Sequence, residues 1–242
     1  MISIHPVEGL PEIREGDDLG ALIASTAALE DGDVVVVAQK VVSKAEGRVV
    51  RLDEVEPSAR ARELAGPETD LRQLEVILGE TLRVVRSRSG LVIAETSHGF
   101  VCASAGVDHS NAADAGTVIL LPVDADASAQ QIRSALRQQV GRDVAVIVTD
   151  SFGRPFRKGT TDIAIGVAGL APLRDLRGTP DRAGLPLRTT QVAIADEIAS
   201  AADLVRTTKA DGIPVVVVRG VSAEGDGSAT DLVIPADRDL FR

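Results

Sequence analysis

The sequence predicts an α+β fold of mixed sheets with flanking helices, and three observations lead there. Val34–Val42, Val144–Thr149 and Ile213–Val218 are short runs rich in β-branched residues, the pattern of strands buried on both faces. Between them lie stretches whose apolar residues recur at helical spacing. The two kinds of segment do not alternate regularly enough for a doubly wound sheet, which leaves α+β.

Taken along the chain, Val34–Val42 is the first clear strand. Pro57–Leu64 and Asp70–Leu78 are short helical candidates, and Leu82–Arg86, Leu91–Ala94 and Val118–Leu121 are weaker strands. Ser128-Ala-Gln-Gln131 has the form of a capping box, followed by Ile132, Ala135, Leu136 and Val140 on one helical face. Val144–Thr149 is a buried strand with Asp150 at its C-terminal edge, and Ile163–Val167 is a further candidate. Thr190–Thr207 predicts the clearest helix, its face marked by Val192, Ala195, Ala199, Ala202 and Val205 or Arg206 and broadened by Ile198. Leu173–Leu187 carries Gly178, Pro180, Gly184 and Pro186 among charged residues and reads as a long functional loop. No linker or repeat divides the chain.

Composition narrows the function. The 242 residues carry a formal net charge of -10, which argues against general binding to nucleic acid or to an anionic membrane. Aromatic residues make up 2%, too few for stacking platforms along single-stranded nucleic acid. Cys102 is the single cysteine, so no internal disulfide forms, and with no apparent signal peptide a cytoplasmic protein is expected. Cys102 lies in an apolar run and reads as a small buried hydrophobe.

Neither a P-loop nor a Rossmann fingerprint is present. The most informative segment is Val146–Gly159. Asp150 and Ser151 offer oxygens at a strand end, where ligands of open sheets commonly sit, and Arg154, Arg157 and Lys158 follow. Such oxygens suit Mg²⁺ or Mn²⁺, and the cations suit phosphate; an ordinary turn with solvated charges is the alternative. In Gly99–Asn111, small residues precede Asp108, His109, Ser110 and Asn111. In Val34–Arg48, Lys40 and Lys44 are four apart, so both amines could meet one polyphosphate, or simply flank a turn in solvent. Asp196 and Glu197 could complete a carboxylate set with Asp108 and Asp150, or lie exposed on a helical turn. The inventory as a whole fits metal-assisted phosphoryl chemistry.

Six blocks, in order, resemble the coenzyme F420:L-glutamate ligases, including the N-terminal domain of their two-domain actinobacterial form. They are Gly9–Ile13, Ala38–Gly47, Gly106–Asn111, Thr149–Arg154, Asp162–Gly166 and Ala195–Ala199. The resemblance implies one ligase domain over residues 1–242, ending about where two-domain relatives continue into a reductase-like domain. It implies GTP-dependent joining of L-glutamate to the phospholactyl carboxylate of coenzyme F420-0 through an acyl phosphate, then γ-linked extension, in an intertwined homodimer. Mg²⁺ or Mn²⁺, two per site, and K⁺ are the implied ions.

By the same resemblance Asp108 and Asp150 would bind one metal, and Ser151 with Gln191 or Glu197 would hold a second. Leu10, Pro11, Glu12, Ile13, Ser43, Lys44 and Asn111 would contact GTP. Asp108, Asp150 and Arg154 are the residues expected to act on the reactants, with Arg154, Arg157 and Lys158 candidates for the incoming glutamate. Ser151 stands where threonine is usual and keeps the oxygen. Gln191 stands where an acid is common and loses a charge. Two other readings compete: a metal-dependent phosphohydrolase or an amide ligase for another acid, and a non-catalytic dimerisation module. GTP turnover without a deazaflavin acceptor would favour the former, and failure to bind GTP the latter.

Overall fold

A computed structural model describes residues 1–109, 116–206, 212–222 and 224–240. Its elements are β1 (Ser3–Val7), α1 (Leu19–Thr26), β2 (Val34–Ala38), α2 (Gln39–Ala45), β3 (Val49–Arg51), α3 (Ala59–Leu64), α4 (Leu71–Gly79), β4 (Thr81–Arg88), β5 (Leu91–Thr96) and β6 (Val101–Ala103). There follow β7 (Thr117–Ile119), α5 (Ala125–Val140), β8 (Ala145–Gly153), β9 (Thr160–Ala168), β10 (Arg174–Asp175), β11 (Gln191–Val192), α6 (Ile194–Asp203) and β12 (Val215–Arg219). The α+β expectation holds, with mixed sheets and helices packed on them. Among the described residues no helix is long and apolar enough to cross a membrane.

The valine-rich runs form the centre. A five-stranded sheet runs in the order β1-β12-β2-β8-β9, antiparallel throughout except for the parallel pair β2 and β8. Alternate side chains go to opposite faces of a strand. Val35, Val37, Val146, Val148, Val215 and Val217 therefore join one core, with Ile23 of α1, Val42 of α2 and Leu136 of α5. Val34, Val36, Ile147, Val216 and Val218 join another, with Ile194, Ala195, Ile198 and Ala202 of α6. Burial on both faces is why these strands read as unbroken apolar runs. A third core lies under the β4-β5-β6 sheet and the β3-β7 pair, with Leu74 and Ile77 of α4.

Several boundaries differ from expectation. Val34–Val42 is not one strand: it stops at Ala38, and Gln39–Ala45 turns helical, with Val42 and Ser43 buried on its inner side. The helix after Pro122 starts at Asp124, whose carboxylate accepts from Ala127 N at 2.9 Å. Ser128 therefore lies inside the first turn of the helix and is not its cap; its hydroxyl bonds back to Asp124 O at 2.9 Å and to the Glu46 carboxylate. Thr190–Thr207 shortens to Ile194–Asp203, because Gln191 and Val192 pair with Asp175 and Arg174 as a ribbon; Thr207 lies outside the described residues. Within Leu173–Leu187, Arg177 clasps Asp175 (Nε to Oδ2 2.9 Å) and Asp181 holds its own turn through Ala183 N and Leu185 N, so part of that loop's charge serves its own shape. Strand β1 and helix α1 had no clear sequence signal.

One edge of the main sheet is β9. Two of its backbone N–H groups are covered by carboxylates from the first turns of helices: Asp126 accepts from Val167 N at 2.7 Å and Asp196 from Ala164 N at 2.9 Å. The strand also bulges here, pairing Gly166 with Val148 but Ala164 with Thr149.

Candidate active site

The site forms where the parallel ladder ends. The last paired residues of β2 and β8 are Ala38 and Thr149. β8 does not stop at Thr149; it continues to Gly153 against β9. Asp150 is therefore the first residue beyond the parallel neighbour, and α2 starts beside it at Gln39. Strand alternation turns Asp150 to the side of Val146, Val148 and Phe152, and turns Thr149 and Ser151 to the side of α6.

On the first side the structure brings Asp108, Asp150 and Lys40 together. Asp108 is held by its backbone, whose N–H and C=O both pair with Ile119 at 2.8 Å, and Lys40 Nζ lies 2.8 Å from Asp108 Oδ2. Burial pushes the Asp150 carboxyl up to about 7. The Ser151 N–H opposes this, the charges of Asp108 and Asp162 reinforce it, and the Lys40 ammonium opposes it. Cys102 is part of the same environment: burial first, then the Asp150 charge, pushes its thiol up to about 12, in keeping with a packed, unreactive cysteine.

A carboxyl held near neutrality by burial and two like charges is a group that a divalent cation would return to its ionised form. The oxygen-only donors Asp108 and Asp150 suit Mg²⁺ or Mn²⁺, so the residues fit the implied metal. Among the described residues no group of three or more His, Cys, Asp or Glu side chains is placed to hold a metal ion.

The other expected residues are placed as follows. Ser151 faces α6, its hydroxyl donating to Asp162 Oδ1 at 2.6 Å. Gln191 is exposed in the ribbon opposite Asp175, and Glu197 is exposed on the first turn of α6. Neither belongs to the Asp108–Asp150 cluster. Leu10 and Ile13 pack on the first core, anchoring the loop that holds Pro11 and Glu12, and Glu12 Oε1 binds Lys44 Nζ at 2.6 Å. Lys40 and Lys44 are four apart on a helix rather than a strand, which still puts them on one face. Ser43 is fully buried and donates to Gln39 Oε1 at 2.8 Å. Arg154 lies on the β8–β9 hairpin, where Nη2 donates to Lys158 O at 2.9 Å. Asn111 lies outside the described residues, and His109 is exposed.

Sequence reasoning missed three residues. Gln39 is 1% exposed and its amide nitrogen has no hydrogen-bond partner among the described residues, beside the strand position that carries Asp150. Asp162 and Arg206 form a buried ion pair of 2.7 Å beneath Thr149 and Ser151. Asp162 lay inside a recognised block, and Arg206 carried only a helical spacing; neither signal gave a role. A cavity of about 260 Å³ behind α2 is lined by Asp17, Asp18, Glu46 and Ser128. Its acids are engaged in holding Arg14 N, Ala21 N and Ser128, so it adds no separate site.

Comparison with known proteins gives the family. A sequence profile described as F420-0:Gamma-glutamyl ligase matches residues 9–220. Three relatives are named Coenzyme F420:L-glutamate ligase. That of Methanopyrus kandleri is 47% identical, over 100% of this chain and 98% of its own length. That of Methanothermobacter thermautotrophicus is 43% identical, over 100% and 99%. That of Archaeoglobus fulgidus is 41% identical, over 100% and 96%. With the profile matched over most of the chain and relatives of 41–47% identity matched over all of it, the chain belongs to the F420-0:gamma-glutamyl ligase family.

Proposed function

We propose that this chain uses GTP and divalent metal ions to join L-glutamate to the phospholactyl carboxylate of coenzyme F420-0, and then adds further glutamates through γ-linkages. The names of the relatives support the substrates. The observation that carries the chemistry is Asp150, set at the first position past the parallel ladder with Asp108 and Lys40 around it.

An ionised carboxylate does not condense with an amine in water, so it must first gain a leaving group. An acceptor carboxylate oxygen attacks the γ-phosphorus of GTP, the bond to the β-phosphate oxygen breaks, and GDP leaves with its electron pair. The glutamate amine attacks the carbonyl carbon of the resulting acyl phosphate, phosphate departs, and the amine loses a proton to solvent. Holding the two reactants in line supplies much of the acceleration.

The residues divide this work. Lys40 and Lys44 present positive charge to the phosphates, Lys44 exchanging Glu12 for the nucleotide. Leu10–Ile13, Ser43 acting through Gln39, and Asn111 shape the GTP site. Arg154, Arg157 and Lys158 attract the carboxylates of glutamate and of the growing tail. Asp108 and Asp150 would hold one Mg²⁺ or Mn²⁺ and Ser151 would contribute to a second, with the exposed Gln191 or Glu197 its further candidates. The ions, with K⁺ as a further candidate, supply charge neutralisation for the phosphates when bound. The chain acts as a cytoplasmic homodimer in this reading.

A ligation assay with F420-0, L-glutamate, GTP and Mn²⁺, read by mass spectrometry, tests the proposal. Product heavier by one or more glutamyl units, formed only with GTP, is expected. GTP hydrolysis with no mass gain in any acceptor would replace the ligase reading with a phosphohydrolase.

A further inference from the structure

We propose that Asp162, braced by Arg206, is a positioning residue that turns the lone pairs of the Ser151 hydroxyl outward, toward a divalent cation at the end of β8. The inference rests on the metal-dependent reading above and assigns a role to residues which that reading does not use.

Ser151 and Asp162 are direct cross-strand partners in β8 and β9. Asp162 is 4% exposed, and it accepts from Ser151 Oγ at 2.6 Å through Oδ1 and from Thr149 Oγ1 at 3.1 Å through Oδ2. Arg206 Nη1 donates to Asp162 Oδ2 at 2.7 Å and to Thr149 Oγ1 at 3.1 Å, while Nη2 reaches Val36 O at 3.1 Å and Pro214 O at 3.3 Å. One guanidinium thus ties β2, the approach to β12 and the end of β8 together.

Ser151 is exposed, so water alone would satisfy its hydroxyl. Burying an ion pair under it is costly and leaves a specific result. A carboxylate paired with arginine only accepts, so the Ser151 hydrogen must point inward to Asp162. Its lone pairs then face the open side, where a hard cation takes oxygen ligands. The role is separate from that of Asp150, which leaves the opposite face of the same strand.

The test is Mn²⁺ binding to the intact protein without nucleotide or acceptor, read by electron paramagnetic resonance, with thermal unfolding of each variant alongside. Four proteins make a double-mutant cycle: wild type, Ser151→Ala, Asp162→Asn and the pair. Ser151→Ala and Asp162→Asn should each weaken one Mn²⁺ ion by about tenfold or more, as removal of outer-shell partners does. The double variant should be no weaker than either single one. Should Asp162→Asn fail to fold because Arg206 is left unpaired, Asp162→Asn with Arg206→Met takes its place in the cycle.

Wild-type affinity in Ser151→Ala or in Asp162→Asn overturns the inference, as do losses that simply add. A wild-type protein that binds no Mn²⁺ sinks the metal-dependent reading itself. Normal wild-type binding with unaffected variants sinks the roles of Ser151 and Asp162 and leaves the Asp108–Asp150 metal site standing.

Discussion

Asp150→Asn separates function from stability in opposite directions. Without metal, the wild-type carboxyl has its pKa raised from 3.8 to about 7, with burial the largest cause. A raised carboxyl pKa means the folded form keeps its proton where the unfolded form has lost it. Stability therefore falls as pH rises from about 4 to about 7 and is level above that. A shift of roughly 3 units at about 1.4 kcal/mol per unit sets a ceiling of about 4 kcal/mol, and about 2 kcal/mol is expected after local relaxation. Asparagine has nothing to ionise, so Asp150→Asn should be more stable than wild type by about 2 kcal/mol at pH 8 in EDTA, and about equal to it at pH 4. Urea unfolding at the two pH values measures this. Adding Mn²⁺ at pH 8 should stabilise wild type more than the variant, which keeps only the ion that Ser151 contributes to, since a native state gains from each ion it binds. The same variant should give no glutamylated product. A variant less stable than wild type at pH 8 without metal would refute the argument, because Asp150 would then be a contributor to the fold rather than a strained ligand.

Lys44→Ala should weaken GTP binding 10- to 100-fold, about what loss of one charge-assisted hydrogen bond implies, as measured by calorimetry with Mg²⁺. Gly166→Ala should cost about 3 kcal/mol in chemical unfolding, because its new Cβ would meet the Ala125 carbonyl oxygen at 2.2 Å, a backbone atom that cannot swing aside. Ser89 has φ 49 in the turn between β4 and β5, followed by Gly90 at φ 85. Ser89→Asn supplies the asparagine–glycine pair such hairpins favour and should add about 0.5 kcal/mol, read as a rise in Tm.

How much of this was legible in the sequence follows from which contacts are local. Val34–Ala38 and Val215–Val218 announced themselves because both faces of the sheet are covered and every residue is apolar. The end of that first run was misread because Val41 and Val42 continue the β-branched pattern into a helix, and only the third dimension shows that α2 buries Val42 and Ser43. The start of α5 was misread because the Ser128–Gln131 spacing has the form of a capping box, whereas Asp124 is the residue that caps. At the site, Asp150 stood out by its place after an apolar run, and Asp108 by its small neighbours. Asp162 and Arg206 did not, being 44 residues apart, and neither lies in a pattern that demands the other. The sequence leaves Lys40 either a phosphate contact or a solvated lysine at a turn, whereas its ion pair with Asp108 is a product of tertiary packing.

The covering of β9 by Asp126 and Asp196 bears on how this molecule meets its own copies. An open sheet edge is a template on which any extended chain can add. Here a carboxylate already occupies two of the positions that such a strand would need. An incoming carbonyl would have to displace a negative charge from its hydrogen bond, and would meet repulsion where it sought a donor. Crowded together, these molecules are thus discouraged from stacking sheet to sheet through β9. The guard also tolerates no casual editing: Asp126→Ala or Asp196→Ala would expose a backbone donor on the strand that faces Asp150 and Ser151 across the hairpin. A fault at this border would surface as clumping before it was ever noticed as lost chemistry.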